Sequence, residues 1–140
     1  MFIVVDSNRV FSAILSKGKT FDVFMFNSII KRFEFVAPEF LFFEIGKHFN
    51  EILSRSKLSK EEIAELFEFV KEQVMPVSFS QFNMHAEEAE KLVPHAKDIE
   101  YFALALKLNA GIWSNEVAFN KQSKVKVFST SELLKELGLK

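Results

Sequence analysis

The sequence contains no cysteine, and glycine (4) and proline (3) are scarce among its 140 residues. The lack of cysteine excludes a disulfide framework, a thiolate zinc site and a cysteine nucleophile, and the three scattered histidines (48, 85 and 95) do not replace them. The longest apolar stretches, such as Tyr101 to Leu106, are far shorter than the roughly 20 residues that span a bilayer. No signal-like segment precedes the apolar run that follows Met1. We therefore predict a cytoplasmic protein without a membrane partner.

Neither positive nor negative charge is in excess. The chain has 18 lysine and arginine residues and 19 aspartate and glutamate residues, which gives a formal net charge of -1. This balance argues against the broad electrostatic attraction that drives nonspecific nucleic-acid binding. Any polyanionic partner must therefore be held locally. With 49% hydrophobic residues, 18 of the 140 residues being phenylalanine, the chain has enough apolar material for a full core. We expect residues 1–140 to form one domain.

Short apolar runs alternate with longer helical patterns, which predicts an α/β fold. The run Phe2 to Val5 is unbroken and ends at Asp6, as in a central strand buried on both faces of a parallel sheet. The other expected strands are 33–37, 75–77 (a weak edge candidate containing Pro76), 112–113 and 125–128.

Helices are predicted between these strands from caps and helical spacing. Pro38 is expected to open a helix running to about Leu53. Capping boxes begin two further helices, one pairing Ser59 with Glu62 and one pairing Ser129 with Glu132. The remaining predicted helices are 83–93 and 98–108.

Some of the phenylalanines point to surfaces as well as to the core. One apolar face of the helix around residues 21–29 is predicted to pack in the core through Phe21, Phe24, Met25 and Ile29. Three others lie partly on other faces, namely Phe26, Phe42 and Phe49. These three indicate a dimer or partner surface.

Four acidic residues stand at positions that packing does not explain. Asp6 follows the first strand, and Glu116 lies three residues beyond the short strand 112–113. Asp98 begins a nearly apolar helix, and Glu44 interrupts the apolar sequence 40–45. Taken singly, each has an ordinary explanation as a helix cap or a solvated side chain.

Taken together, the four acids indicate a metal site. Ligands bind at the carboxyl ends of the strands in open α/β sheets, and clustered carboxylates repel one another unless a cation is present. Oxygen ligands without cysteine or clustered histidine favour Mg²⁺ or Mn²⁺, and such ions serve phosphoryl chemistry. The four glycines are too far apart for a Gly-rich nucleotide loop.

The order and spacing of these acids resemble the PIN domain, the fold of metal-dependent ribonucleases that includes the VapC-type toxins of toxin–antitoxin pairs. The resemblance rests on four segments spread over nearly the whole chain: 3–8 (IVVDSN), 38–44 (PEFLFFE), 97–105 (KDIEYFALA) and 112–116 (IWSNE). It implies a three-layer α/β/α fold with a mostly parallel central sheet, in a single PIN-like domain. It also implies an endoribonuclease that hydrolyses RNA, forms a homodimer and pairs with an antitoxin protein.

By this resemblance, Asp6, Glu44, Asp98 and Glu116 are the catalytic and metal-binding residues. Ser7, Asn8, Ser114 and Asn115 are expected to orient the acids or waters, with helix capping as the alternative. One departure is that Glu116 stands where the family usually has aspartate, and Ala118 stands where a further acid is often found. A catalytically degenerate RNA-binding or protein-interaction module is therefore the alternative function.

Basic residues near the predicted site provide candidate contacts for an RNA backbone, namely Arg9, Lys17, Lys19 and Lys47. Ordinary solvated lysines are the favoured interpretation of Lys17 and Lys19. Lys47 lies one helical turn from Glu44 and is equally placed to be its surface partner. A third interpretation is an unrelated α/β interaction protein whose acids are all caps.

Overall fold

The computed structural model describes residues 1–16 and 18–139, so the candidate phosphate contact Lys17 lies outside the described residues. Five parallel strands form one sheet in the order β3-β2-β1-β4-β5. Their bounds are β1 Phe2–Val5, β2 Glu34–Pro38, β3 Val74–Val77, β4 Gly111–Trp113 and β5 Val127–Phe128. The predicted α/β fold with a parallel sheet is confirmed.

Eight α-helices connect and cover the strands in the described ranges. Their bounds are α1 Ser7–Ser16, α2 Lys19–Ile30, α3 Phe40–Lys47, α4 Phe49–Arg55, α5 Lys60–Gln73, α6 Ala86–Glu90, α7 Ile99–Leu108 and α8 Thr130–Glu136. Both predicted capping boxes are present, at the starts of α5 and α8. None of the helices in these ranges is long and apolar enough to cross a membrane.

The strand order determines where the helices lie. The chain steps from β1 to β2 to β3 in one direction, then crosses back past β1 to β4 and β5. Because parallel crossovers are right-handed, this reversal puts α6 and α7 on the face opposite α1 to α5. Helix α7 accordingly packs across β1, β2 and β4, whereas α8 packs on α2. The strand order reverses between β1 and β4, where open α/β sheets bind their ligands.

The core is built around the middle strand and one tryptophan. Residues 3–5 of β1 are fully buried between the two neighbouring strands and the helical layers, as the unbroken apolar run predicts. Trp113, also fully buried, packs against Phe24 and Phe35 with ring centroids 5.0 and 5.5 Å away. Its indole Nε1 donates a hydrogen bond of 3.0 Å to Thr130 Oγ1.

The prediction for Pro38 and the helix after it is wrong in two respects. Pro38 ends β2 in register with Val77, and the backbone N–H of Glu39 donates to the carbonyl of Val77 at 2.9 Å. The helix starts only at Phe40 and is broken at His48, so two helices replace the single one expected to reach Leu53. A proline is compatible with a strand end, and Gly46 weakens helix propensity just before the break.

The core face of α2 also differs from the prediction. Its buried residues are Val23, Phe24 and Asn27, while Met25 and Ile29 are exposed. Asn27 is buried because its amide closes the following turn: its Oδ1 accepts from Phe33 N at 2.9 Å and its Nδ2 donates to Phe33 O at 3.0 Å. An apolar pattern does not reveal a core position held by a polar residue.

The phenylalanines expected at a surface are more covered than predicted. Those at positions 26, 42 and 49 are half-buried and pack against the core. In the described ranges, the exposed phenylalanines are Phe43 and Phe79. Two predicted elements are shorter than expected, because 83–93 contains only a 3-10 turn (Asn83–His85) and α6, and β5 begins at Val127.

Candidate functional site

A cavity of about 480 Å³ opens at the carboxyl end of the sheet, next to the point where the strand order reverses. Five acidic residues line it, the four predicted ones together with Glu100: Asp6, Glu44, Asp98, Glu100 and Glu116. We call this the acid cavity. Asp6 follows strand β1, and Glu116 lies in the loop after β4. Glu44 is on helix α3, Glu100 is on helix α7, and Asp98 is in the turn that precedes α7.

A serine hydroxyl joins the two acids that follow the neighbouring strands β1 and β4. Ser114 Oγ donates a hydrogen bond of 2.9 Å to Asp6 Oδ2, and it accepts one of 3.0 Å from the backbone N–H of Glu116. Asp6 and Ser114 are both buried. The other oxygen of Asp6, Oδ1, has a longer contact of 3.4 Å with the backbone N–H of Asn8. Ser114 therefore connects Asp6 to the start of the Glu116 loop, and its role in orienting the acids for catalysis stays a prediction.

Asp98 occupies the N-cap position of α7 without capping it. Its side chain accepts no capping hydrogen bond. The residue is 5% exposed, and its Oδ2 is buried with no hydrogen-bond partner among residues 1–16 and 18–139. Glu116 likewise precedes a 3-10 turn, Val117–Lys121, without a side-chain cap. The capping explanation therefore does not account for either acid.

Burial and mutual repulsion raise the pKa values of the two buried aspartates. For Asp6, burial raises the pKa most, the hydrogen bond from Ser114 opposes it, and Glu116 adds to the increase. For Asp98, burial is again the largest cause, followed by the negative charges of Glu116 and Asp6. The charge of Glu116 thus disfavours the ionisation of both aspartates, and the nearby cations, Arg9 for Asp6 and Lys97 with His95 for Asp98, only partly oppose the increase in pKa.

Glu44 lines the acid cavity but is engaged elsewhere. Its carboxylate lies 3.9 Å from Lys47 Nζ and 3.8 Å from His48 Nε2, on the half-exposed side of α3. Of the two interpretations of Lys47, the surface pair with Glu44 is therefore present. Throughout the described ranges, no three His, Asp or Glu side chains group closely enough to hold one ion. The structure thus brings Asp6, Asp98 and Glu116 near one another and leaves Glu44 at the rim.

The remaining predicted orienting residues divide into two groups. Ser7 and Asn8 line the acid cavity. Asn115 does not, because its Oδ1 accepts from Thr130 N at 3.0 Å and from Thr130 Oγ1 at 3.4 Å. This contact ties Asn115 to the first turn of α8, as the capping alternative describes, and an orienting role for Asn115 stays a prediction.

Sequence reasoning missed Tyr101, a buried side chain of α7 that lines the same cavity. Burial raises the pKa of its phenol to about 12, and hydrogen bonding to Ser7 opposes the increase. The ring packs edge-on against Phe40 at 5.7 Å. Its position three residues after Asp98, one helical turn along, was the available signal. Tyr101 therefore connects the helix carrying Asp98 to the residue that follows Asp6.

The sequence matches the family model described as "PIN domain" over residues 4–137. This chain belongs to the PIN-domain family. That membership excludes an unrelated α/β protein. No curated protein matches the sequence at a significant level.

Among solved structures, this PIN domain is similar to one described as VapBC2 from Rickettsia felis bound to a DNA fragment from their promoter. The TM-score is 0.70 at 14% sequence identity, and the match covers 92% of this chain and 98% of the other. At such low identity the likeness establishes the fold. The sheet, the helical layers and the overall PIN-like architecture are therefore as the resemblance implied.

Proposed function

We propose that this PIN domain is a Mg²⁺- or Mn²⁺-dependent endoribonuclease that hydrolyses RNA phosphodiesters. The observation that carries the proposal is the buried Oδ2 of Asp98, which has no partner in the described chain and lies in a cavity shared with Asp6 and Glu116. A buried carboxylate oxygen without a donor is costly. Its retention beside two further acids is typical of a site that receives a cation.

The donor set of the acid cavity fits a hard divalent ion. Mg²⁺ is usually bound by one or two carboxylates and keeps several waters, so it does not require three converging protein ligands. Asp6 and Asp98 are the proposed principal ligands, with Glu116 and Glu44 acting at the edge of the same cavity. When bound, such an ion lowers the pKa of a coordinated water and stabilises charge on the phosphodiester.

The chain's own residues supply orientation in this proposal. Ser114 Oγ donates to Oδ2 of Asp6 at 2.9 Å, and among the described residues Oδ1 has only the long contact with the backbone N–H of Asn8. Tyr101 and Ser7 connect the two elements that carry the aspartates. Since burial raises the pKa values of both aspartates, the two carboxylates gain from a nearby positive charge.

We further propose a VapC-type toxin, working in the cytoplasm as a homodimer and controlled by an antitoxin protein. The fold likeness to the VapBC2 complex supports this assignment. We also propose that residues 1–140 act as one domain, because the sheet combines strands from both halves of the chain.

A catalytically degenerate PIN module that binds RNA or protein is the second candidate. Two observations favour it: Glu116 and Ala118 replace acids usual in the family, and no three acidic side chains in the described ranges group as ion ligands. The additional methylene of Glu116 shifts its carboxylate relative to an aspartate.

The test is cleavage of a panel of single-stranded and structured RNAs by the purified protein, with Mg²⁺, Mn²⁺ or EDTA. We expect cleavage with either ion and none with EDTA. Asp6→Asn should lower the rate about a hundredfold or more, because it removes a charge at the reacting centre. Asp22→Asn, on α2 and remote from the acid cavity, is the matched control and should cleave normally.

Two outcomes contradict the nuclease proposal. One is the absence of ion-dependent cleavage, and the other is an Asp6→Asn variant indistinguishable from the wild type. Calorimetric titration with Mn²⁺ then separates the candidates. A protein that binds RNA but neither takes up Mn²⁺ nor cleaves RNA is the degenerate module.

A further inference from the structure

Arg9 differs from the other two arginines of the chain in forming no ion pair within 4 Å in the ranges that the structure describes. Arg32 lies 2.8 Å from Glu136, and Arg55 lies 3.8 Å from Glu51. Arg9 stands on α1, three residues after Asp6, and its side chain is only partly exposed. Burial lowers the pKa of its guanidinium, and the charge of Asp6 opposes that effect from beyond contact distance.

The guanidinium of Arg9 also has few hydrogen bonds. It has five N–H donors, and one of them, on Nη1, has a long contact of 3.4 Å with Thr20 Oγ1. Its Nε is buried without a partner in the described chain. A half-buried cation with unused donors is stabilised by an anion that accepts several hydrogen bonds at once.

Arg9 lines a second cavity, of about 450 Å³, that adjoins the acid cavity. We call it the arginine cavity; its charged residues are Arg9, Glu51 and Arg55, and it is also lined by His48. The two cavities share the lining residues Asn8, Phe11 and His48. Two arginines against one carboxylate give the arginine cavity an excess of positive charge directly beside a strongly negative one.

We propose that the arginine cavity binds a backbone phosphate of single-stranded RNA, next to the phosphate that reaches the acid cavity. The inference rests on the proposed function and adds the residues that hold the substrate. Guanidinium groups match phosphate oxygens in a forked geometry. A chain with a net charge of -1 has no general attraction for RNA, so the acid cavity requires local cations nearby.

The experiment measures RNA binding without cleavage. A fluorescently labelled single-stranded RNA of about 12 nucleotides is titrated with the full chain in EDTA, and anisotropy gives Kd at several salt concentrations between about 50 and 200 mM. The variants are Arg9→Gln, Arg9→Lys and Arg55→Gln. Arg32→Gln, remote from both cavities, is the matched control.

Arg9→Gln should weaken binding roughly tenfold. It should also reduce the slope of log K against log salt by about 0.7, the value for one phosphate contact on a single strand. Arg9→Lys should retain the slope because it keeps the charge, and Arg32→Gln should retain both Kd and slope. If Arg9→Gln does not fold, Arg55→Gln replaces it, because Arg55 lies at the exposed rim of the arginine cavity. We expect the same reduction in the slope of log K against log salt.

The proposal is overturned if Arg9→Gln and Arg55→Gln both bind RNA with wild-type affinity and slope. It is also overturned if the wild type binds no RNA, or binds a glutamate-rich peptide in this cavity instead. EDTA separates this result from the nuclease proposal. If binding depends on the arginines but no ion-dependent cleavage occurs, the proposal for the arginine cavity stands and the nuclease proposal fails. If the protein cleaves RNA but the arginine variants bind it normally, the nuclease proposal stands and the proposal for the arginine cavity fails.

Discussion

Replacing Asp98 by asparagine should stabilise the metal-free protein, although most substitutions of buried residues destabilise. The residue is 5% exposed, its Oδ2 has no donor in the described chain, and the negative charges of Glu116 and Asp6 lie close enough to raise its pKa. The amide that Asp98→Asn introduces has nearly the same shape and carries no charge, so it is not repelled by the neighbouring carboxylates, and it offers N–H donors that the carboxylate lacks.

The magnitude follows from the cost of the unsatisfied acceptor. A buried polar group without a partner costs about 1–3 kcal/mol, and the new amide recovers only part of this. We therefore expect the free energy of unfolding to rise by about 1 kcal/mol at pH 7, and Tm by about 4 °C for a chain of this length.

The pH dependence of the free energy of unfolding provides a second test of the predicted stabilisation. Because the pKa of Asp98 is raised above its ordinary value of 3.8 in the folded protein, the folded state binds more protons than the unfolded state just above that pH. The wild type therefore loses stability as the pH rises from about 4 through the raised pKa, and the Asp98→Asn variant lacks this loss. The difference between the two proteins should be largest at pH 7 and vanish below about pH 4.

The assay is urea unfolding in EDTA, followed by the fluorescence of the buried Trp113 at several pH values. Asp22→Asn is the matched control, and it should lose a few tenths of a kcal/mol because Asp22 stands in the first turn of α2, where the helix dipole favours negative charge. A destabilised Asp98→Asn at pH 7, or a difference independent of pH, refutes the reasoning.

Two further predictions concern residues around the site and the sheet. Ser114→Ala should raise the pKa of Asp6 further and lower the free energy of unfolding by about 1 kcal/mol, because it removes the hydrogen bond that opposes the effect of burial. NMR titration of the Asp6 carboxyl group measures the pKa, and an unchanged value contradicts the prediction. Gly111→Ala should lower the free energy of unfolding by about 1–3 kcal/mol, because its Cβ would lie 2.5 Å from Phe128 Cε2. Gly46→Ala is the paired control, because its Cβ would meet no described atom within 4 Å outside its own helical turn and chain neighbours. Helix propensity should therefore add up to about 1 kcal/mol, and equal effects of the two alanines in thermal melts would argue against the packing at Gly111.

Local signals predicted the elements of the fold well. The capping boxes at Ser59 and Ser129 begin helices because each serine hydroxyl accepts from the backbone three residues later, a geometry contained within one turn. The run Phe2–Val5 is a central strand because an apolar run without alternation requires burial on both faces.

Elements that depend on distant partners were harder to predict. Pro38 satisfies the local rule for starting a helix, but its pairing with β3 keeps it in the strand. Asn27 is a polar residue in the core of α2 because the backbone of the following turn needs its amide. Neither requirement is visible in the spacing of apolar residues.

The candidate site shows the same division. The positions of Asp6, Asp98 and Glu116 at one end of the sheet follow from strand ends and helix starts, which the sequence marks. The burial of Asp98 without a partner depends on packing between elements. The hydrogen bond between Asn115 and the first residue of α8 depends on the loop conformation after β4, which residue types alone do not determine.

The hydrogen bond between Ser114 and Asp6 joins residues separated by 108 positions, across the pairing of β1 with β4. Loop-closure entropy makes such a distant contact slow to form, so local helices such as α5 and α7 are expected to form earlier. During synthesis, Asp6 leaves the ribosome long before Ser114 exists. The first half of the chain therefore carries an incomplete acid cavity, and the site becomes organised only when the return crossover to β4 has been made.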